Sequence, residues 1–274
     1  MKITRSRRMS IDISWLLFVI VVILTGQLTN YLVLLVIMCW HECGHFLTAL
    51  YFKWPIKELR LFMFGCVMET DAFLMRPLKE QWLVVLAGPL QHVAIFFACL
   101  FLKQSAQPMT VIDFAMRANV TLVCFNLLPI WPLDGGKIIY LLCNLRLPFK
   151  KSYHLTLMLS ILNIFILTWG FIFYGHFSFA FLLLVGFLLR EIRLDLKDEP
   201  YMWYRFLLFR RKNMIKQPLL AHIDSDVQPN QALKCLRLNQ STMFIIKQTH
   251  QLISEQQMIE RYMNPVKYYL EIGD

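Results

Sequence analysis

Charge is scarce in this chain. Of its 274 residues 17% are charged and 57% are apolar, and the mean hydropathy is +0.51. A soluble domain with that composition could not cover its own core, which excludes an ordinary soluble fold. Carboxylates are scarcer than cations: 18 Asp and Glu stand against 28 Lys and Arg, for a net charge of +10. The cations form no stripe interleaved with aromatics, which argues against a direct nucleic-acid partner. There is no CxxC, and the seven cysteines are odd in number and mostly lie within apolar runs. That excludes a disulfide framework and a Cys-rich zinc site, leaving reduced thiols packed as small hydrophobes. No internal repeat or low-complexity segment is found. No small-residue cleavage site follows Ile23, so the first apolar run is expected to be kept as a span.

What is present is a series of long apolar runs. Six are read, over Ile13 to Leu28, Tyr31 to Phe52, Trp82 to Leu102, Val111 to Ile130, Leu155 to Phe173 and Phe177 to Leu189. Runs near 20 residues match a bilayer core about 30 Å thick, so a polytopic helical membrane protein of six transmembrane helices is expected over 1–196. Lys2, Arg5, Arg7 and Arg8 precede the first run, and Lys53, Lys57, Arg60, Arg76 and Lys79 follow the second. Lys137, Arg146, Lys150 and Lys151 follow the fourth, and Arg190, Arg193 and Lys197 the sixth. The positive-inside rule then places both termini in the cytoplasm.

Two stretches break the helical pattern. Ile56 to Thr70 alternates loosely around Gly65 and reads as a membrane-associated hairpin. After Leu196 the chain turns polar. A basic linker is expected over 197–218, with Arg210, Arg211 and Lys212 placed to touch anionic lipid. A small cytoplasmic α/β module is expected over 219–274, with a helix over Ala232 to Leu238, a strand over Met243 to Lys247, and a second helix capped by Ser254.

Within the second run stands His41-Glu42-Cys43-Gly44-His45. On a helix, positions i and i+4 share a face, so both imidazoles can address one metal ion. Glu42 emerges about 100° round the helix from His41, close enough to act on a metal-activated water without being a ligand. Ionisable groups at membrane depth cost several kcal/mol and are rare without a function. A catalytic zinc site takes three protein ligands. The fourth run ends in Asn126-Leu127-Leu128-Pro129-Ile130-Trp131-Pro132-Leu133-Asp134-Gly135-Gly136, where Asp134 is the one carboxylate. By the topology above it arrives at the cytoplasmic side, as does His45, which lies about 10 Å of helix rise from the inner end of its span. Apart from Asp113 at the start of the fourth run, the carboxylates of the apolar region are confined essentially to Glu42 and Asp134. A transporter would spread such groups over several spans along a path, and a scaffold derived from a decayed enzyme would have lost one of them.

HExxH in one span with NxxPxxPLDGG at a later one resembles the site-2 protease family of intramembrane metalloproteases. The six runs and Ala87-Gly88-Pro89-Leu90-Gln91-His92 are most similar to its branch that processes the precursor of a sporulation sigma factor. The resemblance implies zinc held by His41, His45 and Asp134, with Glu42 as acid and base, and Asn126 helping to hold substrate. It implies a multi-pass protein of the mother-cell membrane around the forespore, with inhibitory membrane partners and a homo-oligomer as further possibilities. His92 is read as a hydrogen-bonding residue of helix packing. A peptide must be extended to be cleaved, and strand addition to the hairpin would engage Phe64 and Val67. The tail resembles a cystathionine-β-synthase (CBS) domain, a nucleotide-sensing fold, which implies ATP as its ligand, although Thr249-His250-Gln251 departs from the acidic and glycine residues usual there.

Overall fold

Each of the six apolar runs contains a helix in the computed structural model, which describes residues 8–11, 13–62, 65–70, 72–105, 109–175, 178–212, 218–224, 227–249 and 251–264. The chain divides into two compact units. One comprises Met1–Pro129 with Leu133–Ile138, and the other Ile130–Pro132 with Ile139–Asp274.

The first unit begins with strand β1 (Arg8–Ile11), helix α1 (Ile13–Leu24) and helix α2 (Leu28–Tyr51). Strands β2 (Ile56–Phe62) and β3 (Gly65–Thr70) follow, then helices α3 (Leu78–Ser105) and α4 (Met109–Asn126), and the start of α5 (Asp134–Asn144). Helices α2, α3 and α4 pack on one another. The outward face of α3 carries Leu90, Val93, Phe97 and Phe101, all more than half exposed, as a bilayer rather than water would require. The expected hairpin is present as β2 and β3, antiparallel, with Leu59 opposite Met68 and Arg60 opposite Val67. The sequence reading missed β1, which adds to β2 in parallel and pairs Arg8 with Glu58. The strand order β1-β2-β3 puts β3 at an edge. Strand β3 also packs on α2. A cluster of Ala49, Trp54, Ala72 and Val84, with Phe52, Met68 and Phe73 around it, seats the hairpin.

The second unit holds the rest of α5, then helices α6 (Phe149–Phe173) and α7 (Phe179–Lys212). After them come strand β4 (Pro218–Ile223), helix α8 (Pro229–Leu233), strands β5 (Ser241–Ile246) and β6 (Leu252–Ser254), and helix α9 (Glu255–Met263). Trp131, Tyr140, Phe149, Tyr153, Trp203 and Phe206 form its aromatic core. The Trp131 indole N–H and the Tyr153 hydroxyl both donate to Asp195, at 2.7 and 3.3 Å.

Two expectations need correction here. The stretch read as a basic linker, 197–218, is helical as far as Lys212, because α7 runs straight through Pro200. Packing overrides the local break: Glu199 is paired with Lys150 and His154, and Phe206 stacks on Phe149 at 4.2 Å. Arg210 is buried, not offered to lipid, and its guanidinium is taken up by Glu255 at the start of α9. The C-terminal segment does form a small α/β sheet, of order β4-β5-β6. Strands β4 and β6 were not anticipated, and α8 starts and ends earlier than expected. Helix α9 begins at a Ser254 cap, with Ser254 and Gln257 satisfying each other's backbone N–H groups.

Three of the described helices, α2, α3 and α6, are long and apolar enough to cross a membrane. This is a mostly helical membrane protein.

Candidate metal centre

His41 and His45 sit one turn apart on α2, and their Nε2 atoms are 3.1 Å apart. Asp134, the first residue of α5, brings Oδ2 to 3.2 Å from the His41 Nε2 and 3.1 Å from that of His45. All three residues are buried. Three electron-pair donors pointed at one another in a buried place repel unless a cation lies among them. Ligands of one tetrahedral zinc, each about 2.0–2.1 Å from it, are themselves about 3.3 Å apart. The triangle has the right size, and its donors are the types zinc takes. These residues fit the ion.

The neighbours explain why the triangle is held. The His45 Nδ1 donates to the carbonyl oxygen of Val84 on α3 at 2.7 Å, which leaves the Nε2 lone pair free for a metal. At Gly88 of α3 a Cβ would overlap the rings of both His45 and His41, so only glycine lets α3 pass this close. At Gly135 a Cβ would strike the carbonyl oxygens of Leu127 and Leu128. The first turn of α5 is therefore pressed against the chain leaving α4, and this close approach is what delivers Asp134. Lys137, one turn on, donates to Asp134 Oδ1 at 3.1 Å. That leaves Oδ2 alone to face the imidazoles.

Glu42 is half-buried beside the triangle. With His41 and His45 it forms a group whose ligand-type atoms all lie within 4.8 Å of one another. Its Oε1 accepts a hydrogen bond from the backbone N–H of Met68 on β3 at 2.6 Å. The second oxygen remains for chemistry.

Of the residues singled out from the sequence, the structure gathers His41, Glu42, His45 and Asp134. Asn126 is the half-buried last residue of α4 and shares no hydrogen bond with these four among the described residues. Val67 stands on β3 next to Met68, opposite Arg60, and is 41% exposed. Phe64 lies outside the described residues. His92 packs α3 to α4 as expected: its Nδ1 lies 2.7 Å from Asn119 Oδ1, and Asn119 Nδ2 donates to the His92 carbonyl oxygen at 2.9 Å. Sequence reasoning missed Lys137, Gly88 and the Met68 amide. Lys137 had a signal, since i+3 from Asp134 puts it on the same helix face. Gly88 had a weaker one in the Gly-Pro pair, and the Met68 contact had none.

Comparison with known proteins agrees with this geometry. The sequence model for peptidase family M50 matches residues 29–106 and 103–168, half of the chain. Stage IV sporulation protein FB of Bacillus subtilis is 36% identical over 189 residues, covering 69% of this chain and 66% of that protein. A zinc metalloprotease of Methanocaldococcus jannaschii is 26% identical over 52% of this chain and 44% of its own length. The chain thus spans less than two thirds of these curated relatives. Among solved structures, a site-2 protease from Methanocaldococcus jannaschii shares the fold, with a TM-score of 0.55 at 21% identity over 71% of this chain and 93% of that one.

Proposed function

The chain belongs to peptidase family M50, and from that premise we propose that it is an intramembrane zinc metalloprotease. The observation that carries the reading is the buried triangle of His41, His45 and Asp134 with the Glu42 carboxylate at its side. Bound there, zinc supplies Lewis acidity, polarising an amide carbonyl and making a water molecule easier to deprotonate. Glu42, anchored through Oε1, uses its other oxygen to take the proton from that water and hand it to the leaving amine. Lys137 keeps Asp134 in one orientation throughout. The scissile segment must be extended, because a helical amide is shielded by its own turn. The outer edge of β3 supports strand addition as the way to hold it, with Val67 and Phe64 contacting substrate side chains and Asn126 contacting its backbone.

The substrate proposed is a membrane-associated protein, namely the precursor of a sporulation sigma factor. The proposed topology has six spans with both termini cytoplasmic, in the mother-cell membrane. For the C-terminal module over 219–274 we propose adenine nucleotide as the ligand, supported by its α/β order. Deleting 219–274 is expected to abolish any ATP dependence of cleavage, and dependence that persists overturns that assignment.

The central test compares wild type and Glu42→Gln purified in detergent, with zinc content and cleavage of a candidate sigma-factor precursor read side by side. Zinc in both with cleavage by the wild type alone is expected. Equal cleavage by the variant, or no zinc in either, overturns the reading.

A further inference from the structure

His41 and His45 are not supported alike. The outer ring nitrogen of His45 reaches the Val84 carbonyl directly, whereas the outer nitrogen of His41, Nδ1, is buried and meets no partner among the described residues. A second buried ring nitrogen without a partner, the Nε2 of His92, belongs to the adjoining ring. The two rings have centroids 5.0 Å apart and are tilted by 47°. Both residues are more than nine-tenths buried. An unpartnered polar atom is costly in a protein interior, so two of them on adjoining rings call for a common explanation.

Their hydrogen-bonding roles follow from what surrounds them. Asn119 donates through Nδ2 to the His92 carbonyl oxygen, which turns its Oδ1 towards His92 Nδ1. The His92 proton therefore sits on Nδ1, and Nε2 keeps its lone pair. His41 presents Nε2 to Asp134 Oδ2 and His45 Nε2. When that atom is a metal ligand its lone pair is used there, and the proton of His41 sits on Nδ1. One orphan is a donor, the other an acceptor, and they belong to adjoining rings.

We propose that His92 is a positioning residue for the metal centre, accepting the Nδ1 proton of His41 through one bridging water. The connection runs from Asn119 to His92 to His41. It gives His41 the orientation and basicity that the Val84 carbonyl gives His45. The inference rests on the reading of His41, His45 and Asp134 as metal ligands. It differs from ordinary helix packing, which the Asn119 contacts alone would satisfy.

The test uses the full-length chain in detergent. Zinc release to an excess of chelator and the visible spectrum of the cobalt-loaded protein are compared for wild type, His92→Leu and His92→Gln. Thermal unfolding of each metal-free protein is measured in parallel. His92→Leu fills the space without an acceptor, and is expected to release zinc about 10–100-fold faster and to alter the cobalt spectrum. His92→Gln restores an acceptor and is expected to return release to within about threefold of wild type. Metal-free unfolding is expected to be alike in all three. Wild-type release by His92→Leu overturns the proposal. So does faster release matched by an equally weakened metal-free protein, because that marks packing alone. A wild type that takes up neither metal overturns the ligand reading itself, so the two failures are told apart.

Discussion

The carboxylate of Glu42 is tied to the backbone N–H of Met68 by a hydrogen bond of 2.6 Å. Met68 lies on β3, whose only strand neighbour among the described residues is β2. Strand residues alternate in the side to which their N–H points, so an amide that reaches Glu42 faces away from β2. Bare edges invite pairing with other chains. Here one edge donor is occupied by the proposed acid and base itself, so the group that would do the chemistry and the edge that would hold the peptide share a contact.

Met68→Pro isolates that contact. Proline is tolerated on an edge strand where the N–H faces outward, so the pairing of β3 with β2 survives while the donor to Glu42 is lost. Cleavage is expected to fall by about two orders of magnitude, in line with the loss of a catalytic group's positioning, while zinc stays bound. Met68→Leu keeps both the amide and the packing against the cluster of Ala49, Trp54, Ala72 and Val84, and should cleave within about threefold of wild type. Comparable loss in both variants would assign the effect to the side chain.

Gly88→Ala tests the close approach of α3 to the imidazoles. The added methyl would sit on the rings of His45 and His41, in an interior with no room to yield. Bound zinc, measured by elemental analysis after dialysis, should drop about tenfold or more, a loss of the size seen when ligand support is removed. Full zinc occupancy in this variant would mean that α2 and α3 separate easily, and that the fit of the triangle does not depend on glycine here.

Ser254→Ala removes the oxygen that accepts the Gln257 N–H at the start of α9. A lost N-cap costs about 1 kcal/mol, so amide exchange over Glu255–Met263 should quicken about fivefold, with zinc content and cleavage unchanged.

Ser254 also marks how far local signals reach. The Ser-x-x-Gln spacing and the following apolar positions made that helix start readable, because capping is settled within one turn. The same holds for His41 and His45, which one helix period brings together. Asp134 was readable through its isolation as a carboxylate between prolines and glycines, although its approach to His45 spans 89 residues. What escaped was settled by contacts distant in sequence that leave little local trace. Strand β1 is four residues long and gains its register from β2, fifty positions on. Pro200 carries a breaking signal, and only the contacts of Glu199 and Phe206 reverse it. Arg210 sits in a run that looks solvated, since its partner is 45 residues away.

The Arg210 guanidinium meets both oxygens of Glu255, at 2.6 and 2.8 Å, and also reaches the carbonyl oxygens of Leu238 and Gln240. The Arg210 side chain is 1% exposed and that of Glu255 9%. A pair this dry is weak evidence of net stabilisation, since desolvating both ions offsets their attraction. Breaking it is another matter, because the survivor is left as a buried charge. Glu255→Gln still accepts the N–H of Thr242, which donates to Oε2 at 2.9 Å, while its NH2 replaces the oxygen that accepts from Arg210 Nε, so it removes the charge and one acceptor together. It should destabilise the segment from the end of α7 to α9 by about 3 kcal/mol, read as faster amide exchange across β5 and α9. Arg210→Met placed on top of it removes the stranded cation and should recover more than half of that loss. If the double variant is instead as unstable as the sum of the single ones, the two residues act independently and the pair does not clamp α9 to α7.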